Sequence, residues 1–167
     1  IILADLGVFT RALGLAQLLT YRISVIVMFT LFPIIAKQRL NQSTLRSNND
    51  SLIFYILLIT LPVTIGLACY SPFVTALLYG NEWLEVANIL TPLAFICTIQ
   101  GLIHVFSQLA LARQNFRFPI WVDSFLLLIH TAPLLLGENF SLDNYLLILL
   151  SGYIICGFAT IFFLGTK

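Results

Sequence analysis

Five long apolar runs constrain this chain more than any other feature of its sequence. Each run has 18 to 27 residues with few charged side chains, which is the length that a helix needs to cross a hydrocarbon layer about 30 Å thick. The strands of a membrane barrel alternate between apolar and polar residues, whereas these runs are continuously apolar. The sequence therefore predicts an all-α, polytopic membrane bundle with five spans, at 13–36, 52–78, 88–111, 119–136 and 145–164.

Composition supports this class and excludes several others. Hydrophobic residues make up 60% of the chain and charged residues 9%, whereas a soluble domain carries about 25% charged residues. With 8 Lys and Arg against 7 Asp and Glu, the chain has no basic surface for nucleic acid and no charged surface for a water-soluble catalytic domain. The three cysteines stand alone in apolar runs and are interpreted as buried thiols rather than as metal ligands: Cys69, Cys97 and Cys156.

The charges between the spans alternate in sign. Basic residues dominate the connections 37–51 and 112–118. In the connections 79–87 and 137–144, every charged residue is acidic. The chain ends in Lys167. Because Lys and Arg near span ends stay on the cytoplasmic side, we expect the first and third connections and the C-terminus to lie inside. An outer aromatic belt and an inner one are then predicted, formed by Tyr79, Trp83 and Tyr145 outside and by Tyr55 and Trp121 inside.

Helix-breaking residues interrupt the second span. Pro62, Gly66 and Pro72 lie within it, and each proline removes a backbone donor and clashes with the preceding turn. A kink is expected here. It serves either as a packing feature or as a hinge of the kind that transporters use, and the sequence leaves both interpretations open.

Two arginines in or near the first span are candidate binding residues. Arg22 lies well inside the span, where a charge is costly unless it has a cavity or a partner, and a cavity is the favoured interpretation. Arg11 stands eleven residues earlier, at about the same angle on a helix of 3.6 residues per turn, so both guanidiniums are expected to line one face. For Arg11, reaching outward to the headgroups is the simpler interpretation.

Two further spans carry polar side chains. Gln100, His104 and Gln108 follow at four-residue steps in the third span, forming a stripe that either holds helices together or faces water. In the fourth span, Asp123 and His130 are two turns apart and share a face. Asp123 is close enough to the inner end to reach the headgroups or to pair with Arg113 or Arg117. These residues form no catalytic or metal-binding pattern, so we expect neither an enzyme nor a cofactor or metal.

Three segments of the chain resemble one family of transporters. The segments are LGVFTRALGLAQLLTYRISVIVMFTLFPIIAK (6–37), LPVTIGLACYSPFVTALLYGNEWLEVANILTPLAF (61–95) and LALARQNFRF (109–118). They resemble the O-antigen and exopolysaccharide repeat-unit flippases of bacteria, whose superfamily also contains multidrug extruders. The resemblance implies a twelve-helix protein of which this chain, beginning at Ile1 without a leader pattern, is the C-terminal part, helices eight to twelve.

The resemblance also implies a function and a place in the cell. A flippase of this family turns polyprenyl-pyrophosphate-linked oligosaccharides across the bacterial inner membrane for lipopolysaccharide or exopolysaccharide synthesis, with the C-terminus in the cytoplasm. Its partners would be the lipid-linked oligosaccharide, the bilayer and other polysaccharide-assembly proteins, and no nucleic acid. Arg22 is the first candidate for the pyrophosphate, and the other candidate substrate contacts are Arg11, His104, Gln100 and Gln108. Coupling or structural roles remain open for Asp123 and His130.

Two other functions stay open at this point. A multidrug or cation antiporter of the same superfamily would need membrane carboxylates, of which Asp123 is the candidate here. A membrane-embedded polymerase or acyltransferase could use His104 as a base, but polymerases of this pathway usually have a large outer loop. The outer connections of this chain have nine and eight residues.

Overall fold

The computed structural model describes residues 3–37, 42–112, 114–135 and 142–165, and no strand occurs in these ranges. Most of them form six α-helices. A π-helical segment, Gln17–Tyr21, joins the first two helices, and a short 3-10 helix, Asn81–Trp83, precedes the fourth. The α-helices are α1 (Leu3–Ala16), α2 (Arg22–Lys37), α3 (Gln42–Tyr79), α4 (Glu85–Ala112), α5 (Arg117–Leu135) and α6 (Leu142–Gly165).

This architecture confirms the predicted all-α membrane bundle. Within the described residues, three helical stretches are long and apolar enough to cross a membrane: Leu6–Thr30, Ile53–Tyr79 and Glu85–Ala112. In α6 a shorter apolar stretch covers Asn144–Thr160. The predicted fourth span, 119–136, lies on α5, which is not among the three.

Two helices begin earlier than their predicted spans. The first helix starts at Leu3 rather than at residue 13, and α3 starts at Gln42 rather than at residue 52. A hydropathy pattern reports only the apolar part of a helix, whereas backbone hydrogen bonds continue through polar residues. Most of the predicted connection 37–51 is therefore helical.

A kink divides α3 near its C-terminal end. Tyr70 has φ −111° and ψ 20°, which interrupts the helical conformation two residues before Pro72. The proline has no N–H for the carbonyl of Ala68, and its ring collides with that carbonyl. The kink expected in this span is thus present, and it lies at Pro72 and not at Pro62 or Gly66.

The central element of the bundle is α4. It packs against α1, the π-helical segment, α2, α3, α5 and α6, and half of its apolar stretch is buried. Gly101 permits a close approach to α2, because a Cβ at this position would lie 2.6 Å from the Ser24 Oγ. The main buried cluster follows α4 through Leu90, Leu93 and Cys97.

The outer layer of the bundle carries large apolar side chains. Phe29, Phe73 and Trp121 are 78%, 66% and 76% exposed. Such a surface is suited to lipid or to further membrane helices and is unsuited to water.

Candidate functional site

Arg22 has an exposed side chain inside an apolar, membrane-spanning stretch. It is the first residue of α2 and lies within the membrane-spanning stretch Leu6–Thr30. Its side chain is exposed, and within the described residues it makes no hydrogen bond or ion pair. An unpaired guanidinium at this depth requires water, a ligand or another protein segment beside it. The structure therefore makes Arg22 available for a contact outside this bundle.

The π-helical segment before Arg22 changes the geometry that the sequence predicts. A π turn closes through an i→i+5 bond and inserts an additional residue into the helix. Over Gln17–Tyr21 this rotates the following residues by roughly a quarter of a turn relative to a regular helix. The prediction that Arg11 and Arg22 share one face is therefore wrong.

Arg11 is held against an aromatic ring instead. Its guanidinium carbon lies 3.4 Å from the centre of the Trp83 ring and 5.9 Å from that of Tyr79. Tyr145 joins the same end of the bundle, since its ring centre lies 5.8 Å from that of Phe9. The three aromatic residues predicted for the outer belt thus lie at one end of the bundle, and Arg11 belongs to this cluster.

The stripe on α4 is half-buried, as expected for a face that borders protein. Gln100, His104 and Gln108 are each partly exposed. The imidazole of His104 lies edge-on to Tyr21, with ring centres 5.8 Å apart and planes at 69°. Because Tyr21 is the neighbour of Arg22, this contact brings the stripe close to the backbone that carries the arginine.

The two candidate residues of α5 have different neighbours. His130 is exposed, and its ring centre lies 5.9 Å from that of Tyr153 on α6. Asp123 is also exposed and lies within electrostatic range of His104. Asp123 forms no ion pair within the described residues, and Arg113, one of its expected partners, lies outside them. The predicted pairing of Asp123 with Arg117 is not present.

A row of hydroxyls between α3 and α4 was not predicted. The Thr64 and Thr98 hydroxyls form a hydrogen bond of 2.5 Å, and the Thr91 hydroxyl donates to the Ser71 Oγ over 3.3 Å. Farther along, the buried Thr75 hydroxyl has no hydrogen-bond partner among the residues that the structure describes. The spacing of Thr60, Thr64, Ser71 and Thr75 places all four on one helical face, and this spacing is a signal that the sequence does contain.

No metal centre is visible in the described ranges. They contain no group of three or more His, Cys, Asp or Glu side chains close enough to hold an ion. Cys97 and Cys156 are buried as predicted, whereas Cys69 is exposed. What the site offers chemically is an unpaired cation, a polar stripe and aromatic rings, which suit binding.

Comparison with known families shows to which family the chain belongs. The family described as "Polysaccharide biosynthesis protein" matches residues 2–88, which cover the helix of Arg11 and Arg22, all of α3 and the Trp83 turn. The chain belongs to this family. Its members' description supports a role in polysaccharide biosynthesis, and the helices place the protein in a membrane.

One curated relative agrees with the family. The teichuronic acid biosynthesis protein TuaB of Bacillus subtilis (strain 168) is 29% identical over 126 residues, which are 75% of this chain. The chain spans about a quarter of the length of that relative, 26%. No solved structure matches the chain significantly.

Proposed function

We propose that the protein is a flippase for lipid-linked oligosaccharides. It transfers polyprenyl-pyrophosphate-linked repeat units from the cytoplasmic to the outer leaflet of the bacterial inner membrane, where they are built into surface polysaccharide. The C-terminus of this chain lies in the cytoplasm. The protein acts as a transporter and catalyses no covalent step.

The single observation that carries the proposal is the setting of Arg22. A pyrophosphate that crosses a membrane needs cationic donors at depth, and a guanidinium matches phosphate oxygens with two parallel hydrogen bonds. Arg22 offers these donors inside an apolar, membrane-spanning stretch with no competing carboxylate among the described residues. The polysaccharide biosynthesis family and the similarity to TuaB support the class of substrate.

The polar stripe of α4 is suited to a sugar head group. His104, Gln100 and Gln108 present donors and acceptors along one face of α4, and Tyr21 contacts His104. Amide and imidazole groups bind hydroxyl-rich ligands through hydrogen bonds. In this proposal Arg22 binds the pyrophosphate and the stripe contacts the first sugars.

The test replaces Arg22 in cells that depend on the full-length protein. Arg22→Lys keeps the charge and loses the planar fork, so partial export is expected, while Arg22→Ala should abolish export and let lipid-linked repeat units accumulate. Thr30→Ala is the matched control, because Thr30 is exposed on the same helix and its hydroxyl donates to the carbonyl of Ile26 within that helix. A normal size-exclusion profile must show that each variant is folded. Normal export by folded Arg22→Ala would contradict the assignment of Arg22.

A further inference from the structure

A groove between α5 and α6 lies outside the proposed transport site. Its volume is about 510 Å³, within the range of ligand-binding sites in proteins. Phe118, Trp121 and Phe125 of α5 line one wall, and Ile155 and Ala159 of α6 line the other. The walls are therefore mostly apolar, over about two turns of α5 and about one and a half turns of α6.

One end of this groove is basic. Asn115 and Arg117 line it there, directly before and at the start of α5. Arg117 is exposed and forms no ion pair within the described residues, and no Asp or Glu lines the groove. Phe125 lies eight residues farther along α5, about 12 Å from this end. The groove thus has a cationic end, its mouth, at Asn115 and Arg117, and apolar walls beyond it.

The mouth lies on the side predicted to be cytoplasmic. It belongs to the connection 112–118, which contains Arg113 and Arg117 and no acidic residue. Trp121 is 76% exposed one turn above Arg117, and tryptophan favours the headgroup level of a bilayer. The groove would then open toward the inner leaflet at headgroup depth.

We propose that this groove binds an anionic phospholipid of the inner leaflet. The lipid phosphate contacts Arg117 and Asn115, and one acyl chain lies between Trp121, Phe125 and Ile155. Basic pockets between membrane helices on the cytoplasmic side recognise anionic headgroups in this way. The lipid complements the groove at both ends, since its phosphate meets a guanidinium that is unpaired within the described residues and its acyl chain covers apolar walls.

This site is independent of the transport site. Arg117 lies on α5, whereas Arg22 lies on α2, and neither α5 nor α6 carries the pyrophosphate contact proposed above. The flippase proposal can therefore hold without the lipid site, and the lipid site can exist even if the protein is not a flippase.

The test uses the full-length protein in nanodiscs with photoactivatable lipids. Phosphatidylglycerol and phosphatidylcholine carrying the same diazirine acyl chain are compared, and labelled peptides are mapped by mass spectrometry. Phosphatidylglycerol should label the α5 and α6 peptides of the groove several-fold more than phosphatidylcholine. Arg117→Gln should remove this difference, and Ala159→Phe should reduce labelling by both lipids, because the added ring fills the groove.

Lys37→Gln is the matched control. It removes a positive charge from the end of α2 on the same predicted side of the membrane, and the preference for phosphatidylglycerol at the groove should persist. Equal labelling by the two lipids, or a preference that survives Arg117→Gln, would overturn the proposal. A groove that stays unlabelled while other surfaces react would also overturn it, because another part of the protein then covers the groove.

Discussion

At the scale of single residues, Arg11 shows how this bundle accommodates a charge near its apolar interior. The guanidinium lies over the face of Trp83, with 3.4 Å between its carbon and the ring centre. Such a contact stabilises by about 0.5–1 kcal/mol when exposed and by about 2 kcal/mol when desolvated. Because Arg11 is half-buried, we expect a value between these limits, and the contact fixes α1 to the turn between α3 and α4.

This contact predicts a coupling between the two residues. Trp83→Leu should lower the thermal stability of the protein in detergent, and Trp83→Phe should lower it less, because phenylalanine keeps an aromatic face. Combined with Arg11→Gln, Trp83→Leu should cause a smaller loss than it causes alone, because Trp83 also packs against the buried cluster; a double-mutant cycle of melting temperatures would measure the difference. Strictly additive losses would show that the stacked geometry contributes nothing.

The sequence alone reveals Arg22 and the α4 stripe as polar residues in apolar runs. It does not reveal which residues surround them. A charge or amide inside an apolar run stands out from its neighbours, so Arg22, Gln100 and His104 are visible in the sequence. The π-helical segment Gln17–Tyr21 depends on how α1 and α2 pack against α4, and no local pattern specifies it. The contact between Arg11 and Trp83 joins residues 72 positions apart and likewise requires the fold.

At the scale of elements, α3 shows that position decides which proline bends a helix. Both Pro62 and Pro72 lie inside the helix, yet the backbone departs from helical angles only at Tyr70. Pattern analysis predicts a kink in this span because proline lacks a donor, but it cannot choose between the prolines. The choice depends on how neighbouring helices compensate each freed carbonyl.

The kink predicts different effects for the two prolines. Pro72→Ala restores a donor for the Ala68 carbonyl, so the C-terminal end of α3 should straighten. Spin labels at Phe54 and Leu77, both exposed, should then move farther apart. Pro62→Ala is the matched control and should leave the distance unchanged, because the helix is regular there. An equal change in both variants would contradict this account.

If the kink also works as a hinge, transport by Pro72→Ala should fall at normal protein level.

At the scale of the whole molecule, the alternating connection charges predict one topology, and the observed packing agrees with it. The aromatic residues of the predicted outer belt lie at one end of the bundle: Tyr79, Trp83 and Tyr145. The fold class and the approximate spans were predictable because a bilayer sets the length and polarity of every crossing. The helix starts at Leu3 and Gln42 were not, since both lie before the long apolar runs that a hydropathy pattern reports.

Cysteine accessibility tests this topology. Single cysteines replace Asn81, Asn139, Gln42 or Asn115 in a background in which Cys69, Cys97 and Cys156 are alanine. Those at Asn81 and Asn139 should react with an impermeant thiol reagent in intact cells, and those at Gln42 and Asn115 only after lysis. Reaction of Gln42→Cys in intact cells would reverse the orientation and, with it, the cytoplasmic position of Arg117.

The central claim is that the protein moves lipid-linked oligosaccharides between leaflets, and the most direct test is to locate these lipids in cells depleted of it. An impermeant reagent that oxidises sugars is applied to right-side-out and inverted membrane vesicles. The account predicts that the repeat units of depleted cells are oxidised only in inverted vesicles, and that the wild-type protein restores oxidation in right-side-out vesicles. Repeat units that reach the outer leaflet at the normal rate after depletion would contradict the account.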